Sequence, residues 1–423
     1  MKRKKVAIVG TGISGLSAAW LISKNQNVSL FEKNDYFGGH SNTKCIKTRL
    51  DNKSLRVDTG FIVFNHLNYP NLTSFFKNLN VSTCESDMSF SVSMQNGKLE
   101  YGGQSINSLF AQRFNLLNLN FWKMLFDIVK FYKRAFKDVK DYSKYTIDEY
   151  LSLNSYSSFF KYNHLYPMAA SIWSAPIDSI KDFPFKNFVD FFNNHGLLNI
   201  FERPKWKTVE NGSKTYVDKV LNRKNLLVYK SEGVLSVKRE NKKIFLVTNK
   251  KEYIFDQLIL ACHSDQSLQI LKKPTKQEIE SLSKIRYQKN IVWLHSDEDF
   301  MPKNKKVWSS WNYIDYSSFG KKNLCVTYWM NKLQKLDTRE NIFVSLNLPF
   351  EPKSNKIYKK ITYTHPLYDY NTIEGQNGIN KIQGQNNTWF CGAYLGNGFH
   401  EDGIRSGLFV GEKITGNKRP WKT

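Results

Sequence analysis

The stretch from Lys5 to Thr43 constrains this chain more than any other. A β-branched run, Lys5-Val-Ala-Ile-Val9, has the length and continuity of one buried parallel strand. It leads without a gap into Gly10-Thr-Gly12-Ile-Ser-Gly15, and a helical pattern follows in Leu16-Ser-Ala-Ala-Trp-Leu-Ile22. A second strand pattern, Val28-Ser-Leu-Phe31, ends at Glu32. This order matches the strand-turn-helix that binds a dinucleotide, with an acid about 20 residues further on. Gly10 permits the tight turn, Gly12 lets backbone approach a pyrophosphate, and Gly15 lets the helix pack closely on the strand. Unpaired N–H groups at the helix start favour the phosphate charge. Glu32 suits ribose hydroxyls and would repel a 2′-phosphate. A glycine-rich turn in another doubly wound domain would explain the glycines but not the position of Glu32.

A chain of 423 residues has room for two joined domains and a sizeable core. Its 62 Lys and Arg against 37 Asp and Glu give a formal charge of +25. That excess is either a compositional bias spread over a solvated surface or an attraction to an anionic partner, phospholipid or nucleic acid. No RRM, zinc-finger or helix-turn-helix signature accompanies it, so nucleic acid is the poorer partner. Cys45, Cys84, Cys262, Cys325 and Cys391 are scattered without a CxxC, as expected of reduced thiols in a cytoplasmic protein. The eight histidines form no HxxxH or HxH, and no metal site is expected. The basic start before an apolar run imitates a secretory signal, but the glycine fingerprint occupies that run and no small-residue cleavage site closes it. No apolar run reaches the ~18 residues of a spanning helix. A cytoplasmic location is expected, with peripheral contact at the inner membrane as its extension.

Further along, Leu55-Arg-Val-Asp58-Thr-Gly60-Phe-Ile-Val-Phe-Asn65 reads as a strand entering a glycine turn, and a helix follows through Lys77. Ser89 to Ser93 alternates as a half-buried strand and meets a hairpin turn at Asn96-Gly97. From Asn107 to Val139 the pattern is helical, with Phe121, Trp122, Leu125, Val129, Tyr132 and Phe136 on one face and lysines elsewhere. Such a face packs on its own protein more often than in a lipid interface, so packing is expected. Tyr166 to Pro176 sets small residues around Trp173, which either walls a substrate tunnel or packs within a helix-turn; an aromatic-rich helix continues from Phe183 to Phe201. Strand patterns return at Leu226–Tyr229, Gly233–Arg239, Lys243–Thr248 and Tyr253–His263. Tyr287–His295, Lys306–Asn312 and Leu324–Asn331 read as aromatic strands, and Gln334 to Asp369 as irregular structure. Finally a short strand reaches Gly392, a glycine-rich loop follows, and a helix starts near Asp402-Gly403.

Six segments carry a closer resemblance: Gly38-Gly-His-Ser-Asn-Thr43, Asp58-Thr-Gly-Phe-Ile-Val-Phe-Asn65, Ser171-Ile-Trp-Ser-Ala-Pro176, Ala261-Cys-His-Ser-Asp-Gln266, Thr327-Tyr-Trp-Met-Asn-Lys-Leu-Gln334 and Gly398-Phe-His-Glu-Asp-Gly403. Together they resemble a bacterial subfamily of predicted NAD/FAD-binding oxidoreductases. It lies in the flavin-containing amine oxidase, phytoene desaturase and protoporphyrinogen oxidase superfamily. The resemblance implies FAD as cofactor and a mixed α/β and α+β fold. A Rossmann-like FAD-binding domain of glutathione-reductase type would be built from residues 1–75, 206–270 and 386–423. An antiparallel-sheet and helical substrate domain would be interleaved from 76–205 and 271–385.

The same resemblance implies site residues. The paired glycines Gly38 and Gly39 would lie against the ribityl-pyrophosphate, Gly60 would bring backbone close to the isoalloxazine, and His40, Ser41, Asn65 and His400 would be polar groups near the ring. Val234 would pair with adenine through its backbone, Gly392 would lie on the ribityl chain, and the helix start at Asp402 and Gly403 would face flavin N1 and C2=O. These join Gly10, Gly12, Ser14, Gly15, Glu32 and Lys33 as cofactor candidates. His40 and His400 are candidate catalytic groups, and Asn65, Trp173, Trp329 and Phe399 candidate substrate contacts. Subfamily members are associated with cyclopropane-fatty-acyl synthase-like proteins, which implies a fatty-acyl-modifying partner enzyme. The expected activity is dehydrogenation or desaturation of an apolar substrate, such as a fatty-acyl or phospholipid chain, by hydride transfer to flavin N5. A flavin amine oxidase, a nicotinamide enzyme and a non-catalytic flavin-bearing assembly protein are the alternatives. The aromatic cage of amine oxidases has no clear counterpart, and a charge of +25 repels a cationic amine.

Overall fold

Lys5–Val9 is buried from Val6 onward and forms the centre of a five-stranded parallel sheet. The structure is a computed structural model that describes residues 3–199, 204–316 and 325–422. Across the sheet the order is Leu226–Tyr229, Asn27–Phe31, Lys5–Val9, Gln257–Leu260 and Thr388–Phe390, with every pairing parallel. Parallel neighbours need crossovers that cover both faces, hence the continuous apolar runs. The strand order reverses beside Lys5–Val9, and ligands of doubly wound sheets bind outside the strands' carboxyl ends at such a reversal. The crossover from Leu226–Tyr229 to Gln257–Leu260 is an antiparallel meander of Val234–Glu240, Lys243–Thr248 and Glu252–Phe255.

One helix contact joins the two ends of the chain. His400–Thr415 packs along Ile13–Ile22, and glycines recur every fourth residue on the contact face. A Cβ on Gly403 would lie 2.6 Å from Ile13 Cγ2, on Gly407 2.1 Å from the Ser14 carbonyl oxygen, and on Gly411 3.1 Å from Leu21 Cδ2. Gly407 meets backbone, and only hydrogen there lets the two backbones come this close, while Gly403 and Gly411 meet side chains.

The second half is a seven-stranded sheet in the order Ile357–Pro366, Tyr287–His295, Phe343–Leu346, Val326–Trp329, Trp311–Ile314, Phe90–Met94, Leu99–Gly102. It is antiparallel except where Trp311–Ile314 runs parallel to Phe90–Met94, the join between two distant chain segments. Gln334 to Asp369, expected to be irregular, contains two of these strands. Ile357–Pro366 is an edge strand whose Lys359 and Lys360 hide the alternation, as charges commonly do on sheet edges. Phe201 and Leu324, the expected ends of two elements, lie outside the described residues.

The helical pattern from Asn107 to Val139 is interrupted. Ile106–Leu109 and Arg113–Leu117 form separate short turns before Leu119–Arg134. The buried face of that helix is Phe121, Met124, Asp127 and Phe131, which leaves Trp122, Phe126 and Phe136 outside. This corrects the expected face by one residue. Apolar side chains occupy more than half of the helix circumference, so its own pattern does not select the inner stripe. Asp127 does: its carboxylate turns inward to accept from Ser157 N at 2.9 Å and Ser157 Oγ at 2.5 Å.

If the glycine contact holds the chain ends together, Gly407→Ala should lower unfolding free energy by about 3 kcal/mol or more. Gly103→Ala, whose Cβ would meet nothing closer than 3.8 Å, should change it by less than about 0.5 kcal/mol. Urea titration of both variants measures the difference.

Candidate functional site

The glycine turn has the geometry its spacing predicts. Gly10 adopts φ +106°, and a Cβ there would lie 2.8 Å from the Ala261 carbonyl oxygen. A Cβ on Gly15 would lie 2.0 Å from the Gly10 oxygen, so this glycine serves the fold. Gly12 differs from both: it precedes helix Ile13–Ile22, and a Cβ on it would meet nothing within 4 Å. That helix start carries no side-chain cap and no acidic residue in its first turn, which leaves its N–H groups to an outside anion. A Cβ on Gly39 would lie 3.1 Å from Gly12 Cα, so the paired glycines face the fingerprint across this open space.

Glu32 lies at the end of Asn27–Phe31, against the turn. Its Oε2 accepts from Thr11 N at 3.2 Å and Thr11 Oγ1 at 2.5 Å, and Oε1 accepts from Asn34 N at 2.9 Å. A carboxylate has about four acceptor positions, which leaves one toward a ribose. Thr11 Oγ1 also accepts from Gly38 N at 3.1 Å, tying fingerprint, acid and paired glycines together. Val234 opens its strand one residue after Gly233, whose Cβ would lie 3.3 Å from Lys33 Cβ, and Glu232 N donates to the Glu32 carbonyl at 2.8 Å. Glu32, Lys33 and Val234 therefore stand together. Ser14 instead is buried where the first and last helices cross, with its Oγ 3.1 Å from the Cβ position of Gly403.

Past Gly39 the chain reaches a cluster of neutral histidines. Asn347 Nδ2 donates to Asn290 Oδ1 at 2.6 Å, which orients that amide so that Asn290 Nδ2 donates to His365 Nδ1 at 2.7 Å. His365 then carries its proton on Nε2 and donates to His40 Nε2 at 3.2 Å, leaving His40 with a free Nδ1–H. The His40 ring stacks on Tyr363 at 4.6 Å. Gly60 makes room for this arrangement, since a Cβ there would strike the His40 carbonyl oxygen at 2.3 Å, an oxygen that accepts from Phe61 N. His400 lies flat on Phe61 with ring centroids 3.7 Å apart and shares Ser41 Oγ, at 2.9 Å, with the Tyr216 hydroxyl. Burial pushes His400 down to about 3, His365 to about 4 and His40 well below the usual range, so none carries charge at neutral pH. Tyr363 and His365 are two residues apart on one strand and so share a face, which the preceding Lys359 and Lys360 conceal in the sequence.

The C-terminal motif positions its residues in a different way from the turn. Gly392 follows strand Thr388–Phe390 and donates to Ser406 Oγ at 3.0 Å, while the Tyr394 ring fills the space of its missing side chain. Asp402 closes the start of its own helix, accepting from Asn397 N at 3.0 Å, Phe399 N at 3.2 Å and Arg405 at 2.9 Å. A cavity of about 600 Å³ opens beside it, lined by Tyr69, His195, Phe399, Glu401, Asp402 and Arg405 among others.

The substrate candidates are dispersed. Phe399 stacks on Phe191 at 4.7 Å along that cavity. Asn65 Oδ1 accepts from Asn68 N, and its buried Nδ2 has no partner among the described residues. Trp173 is packed against Phe183 and Phe191 at 4.5 and 4.7 Å, with a buried Nε1–H that also lacks a partner among the described residues. Trp329 is tied to Asn341 at 3.1 Å and to the Trp308 ring, partners that belong to neither glycine motif. Among the described residues, no group of three His, Cys, Asp or Glu side chains is placed to hold a metal ion.

The open space at Gly12, the uncapped helix start and the spare acceptor on Glu32 all fit a dinucleotide cofactor. Comparison with known proteins agrees with the fold. Residues 8–79 match a family model described as an NAD(P)-binding Rossmann-like domain. No curated protein matches the chain. Among solved structures it is similar to a CLA-producing fatty acid isomerase from P. acnes, with TM-score 0.65, 15% identity, and 97% and 98% of the two chains covered. It is also similar to wild-type putrescine oxidase bound to putrescine, with TM-score 0.64, 14% identity, and 98% and 100% covered. Cyclohexylamine oxidase from Brevibacterium oxydans IH-35A gives TM-score 0.64 at 12% identity, with 98% and 100% covered. The chain shares the fold of these solved structures.

Two outcomes are expected. Gly12→Ala should unfold within about 1 kcal/mol of the parent, since its Cβ meets open space, yet retain less than about a tenth of the cofactor; calorimetry and the visible spectrum read the two effects separately. Stability should also fall with acid. His195, His295 and His365 are held near 4 and His400 near 3, against 6.5 when unfolded. Below pH 6.5 the unfolded chain takes up protons that the folded chain refuses, so stability is full above that pH and is lost as pH falls toward 4. Asp58, pushed up to about 6 by burial, acts in the opposite sense, as do Glu401 and Asp402, which burial also raises, but burial lowers His40, His66 and His263 as well and keeps the balance with the histidines. Melting temperature against pH tests this, and His295→Gln, remote from the glycine turns, should flatten part of the slope.

Proposed function

We propose that this protein is an FAD-dependent oxidoreductase that dehydrogenates an apolar substrate, with a fatty-acyl or phospholipid chain as the first choice. The observation that carries the reading is the convergence of Gly12, Gly39 and Glu32 with a second glycine motif from the far end of the chain, packed onto the same helix. Gly12, Gly39 and the start of helix Ile13–Ile22 would hold the pyrophosphate, Glu32 a ribose, and Val234 the adenine edge. FAD bound there supplies a two-electron hydride acceptor.

The chain's own residues supply placement and dryness. His40 presents a neutral Nδ1–H, oriented through His365 and Asn290, and His400 is held by Ser41 and Phe61. With His400 near 3 and His40 low, these imidazoles are weak bases; they suit orientation of a bound group better than proton abstraction. Uncharged rings also suit an apolar substrate, because no buried charge has to be desolvated when it enters. Dehydrogenation takes one hydrogen as hydride and the neighbouring one as a proton released to solvent. The fatty acid isomerase of the same fold supports an acyl substrate, and a fatty-acyl-modifying enzyme is the fitting partner to supply or consume it.

A second reading, flavin amine oxidation, is favoured by the putrescine and cyclohexylamine oxidases that share the fold. The excess of 62 basic over 37 acidic residues opposes it. The purified protein should be yellow, and anaerobic addition of membrane lipid extract should bleach the flavin band at least about tenfold faster than amines do. Bleaching by amines alone would replace the first reading with the second. A yellow protein bleached by neither would be a flavin-bearing assembly protein, and a colourless one that takes up no FAD would end both readings.

A further inference from the structure

We propose that the segment from Ile106 to Phe126 docks this protein on the surface of an anionic phospholipid bilayer. Within these 21 positions, Ile106, Phe114, Leu117, Leu119 and Phe126 stand out from the body, from 70% exposed at Phe126 to 87% at Phe114. A single exposed leucine is ordinary, but five large apolar side chains grouped on one short segment form a patch that monomeric proteins rarely leave in water.

The patch is held out by its backbone. Arg113–Leu117 is a tight helical turn, and the Trp122 indole N–H reaches back to the Leu116 carbonyl at 2.9 Å. Asn118 caps the next helix by accepting from Asn120 N at 3.0 Å and Phe121 N at 3.3 Å. Phe110 meets Phe121 edge-on at 5.7 Å and Trp122 at a tilt at 5.5 Å. Phe121, Met124 and Phe131 anchor the inner face of helix Leu119–Arg134 in the core, while Leu119, Trp122 and Phe126 form a second apolar stripe on its outer face. A helix with apolar residues on both faces and one face uncovered lacks a partner for the other.

Charge identifies the partner. Lys98, Arg113 and Lys123 are exposed around the patch, and Lys303 and Lys306 join them through the turn at 303–307, whose Val307 lies against Gly102 and Ser108. Between Asp87 and Asp127 the sequence contains one acid, Glu100. Glu100 is buried, and its carboxylate is taken up by the backbone N–H groups of Lys303 and Asn304, each at 2.8 Å. On the same turn Lys305 is paired with the half-exposed Glu298 at 3.1 Å, but Lys98, Arg113, Lys123, Lys303 and Lys306 leave the flank of this apolar tip positive, which matches a bilayer that offers hydrocarbon below and phosphate above. A second copy of the chain is disfavoured by a charge of +25 on each. No helix among the described residues is long and apolar enough to cross a membrane, so the contact is interfacial.

The test uses the full-length protein, co-sedimented with vesicles of phosphatidylcholine alone or mixed with phosphatidylglycerol. Binding to the mixed vesicles should exceed binding to phosphatidylcholine by at least about tenfold. The fully exposed pair F114S/L117S should weaken it by at least about tenfold without shifting the melting temperature. K98E/K123E should reduce the preference for phosphatidylglycerol by a similar factor and leave the residual binding to phosphatidylcholine in place. Absence of vesicle binding, or binding unchanged in F114S/L117S, overturns the proposal. So does a wild-type dimer in sedimentation that F114S/L117S converts to monomer, which would make a second copy the occupant.

Discussion

The contact between the first and last helices is the constraint on which the rest of the structure depends. Three glycines at four-residue spacing let His400–Thr415 lie against Ile13–Ile22 with a Cβ position 2.1 Å from a backbone oxygen at the closest point. That approach does more than fill a core. It brings the loop from Gly392 to Phe399, formed nearly 400 residues later, beside the open turn at Gly12, and it places His400 against Phe61 and Ser41. A larger residue at Gly407 would push the helices apart and displace His400 with them.

Around this contact the protein builds a region rich in polar atoms but free of charge. Four elements supply it: the paired glycines with His40 and Ser41, the turn between strands Ser54–Asp58 and Val63–Asn65 that carries Phe61, the edge strand with Tyr363 and His365, and the last helix. His365 and His40 bond to each other and to the Asn290 amide, so the proton on each is assigned by its neighbours, while His400 bonds to hydroxyls that can donate or accept. Asp58 performs the corresponding task at the base. Its buried carboxylate accepts from Thr43 Oγ1 at 2.5 Å, Ser213 N at 3.0 Å and Gln334 Nε2 at 3.0 Å, joining three distant segments. Breaking such a group costs more than its bonds are worth singly, because the remaining donors are left unsatisfied in a dry interior.

Much of the nucleotide half was legible because its chemistry is local. Strand, glycines, helix and acid lie within about 30 consecutive residues, the size of one βαβ unit, and Gly10, Gly12, Gly15 and Glu32 stand in the structure as their spacing implies. The half built on the seven-stranded sheet was less legible for two physical reasons. Helix Leu119–Arg134 has apolar residues on more than one face, so the buried stripe depends on where Tyr150, Tyr156 and Phe160 meet Phe131. Strand Ile357–Pro366 carries lysines toward solvent, which made a sheet edge look like loop and concealed Tyr363 and His365. Trp173 and Trp329 stood out in the chain as large aromatics, but only packing reveals that the first sits among phenylalanines and the second on Asn341.

The amino-acid order by itself determined the dinucleotide fold, the residues of its turn and the excess of positive charge, since each rests on steric limits or charges within a few residues. Tertiary structure alone decided which histidines meet, which proton each carries, and which apolar residues remain in water. Those outcomes depend on segments hundreds of residues apart coming within hydrogen-bond distance, and no local pattern encodes a distance that only the closed fold creates.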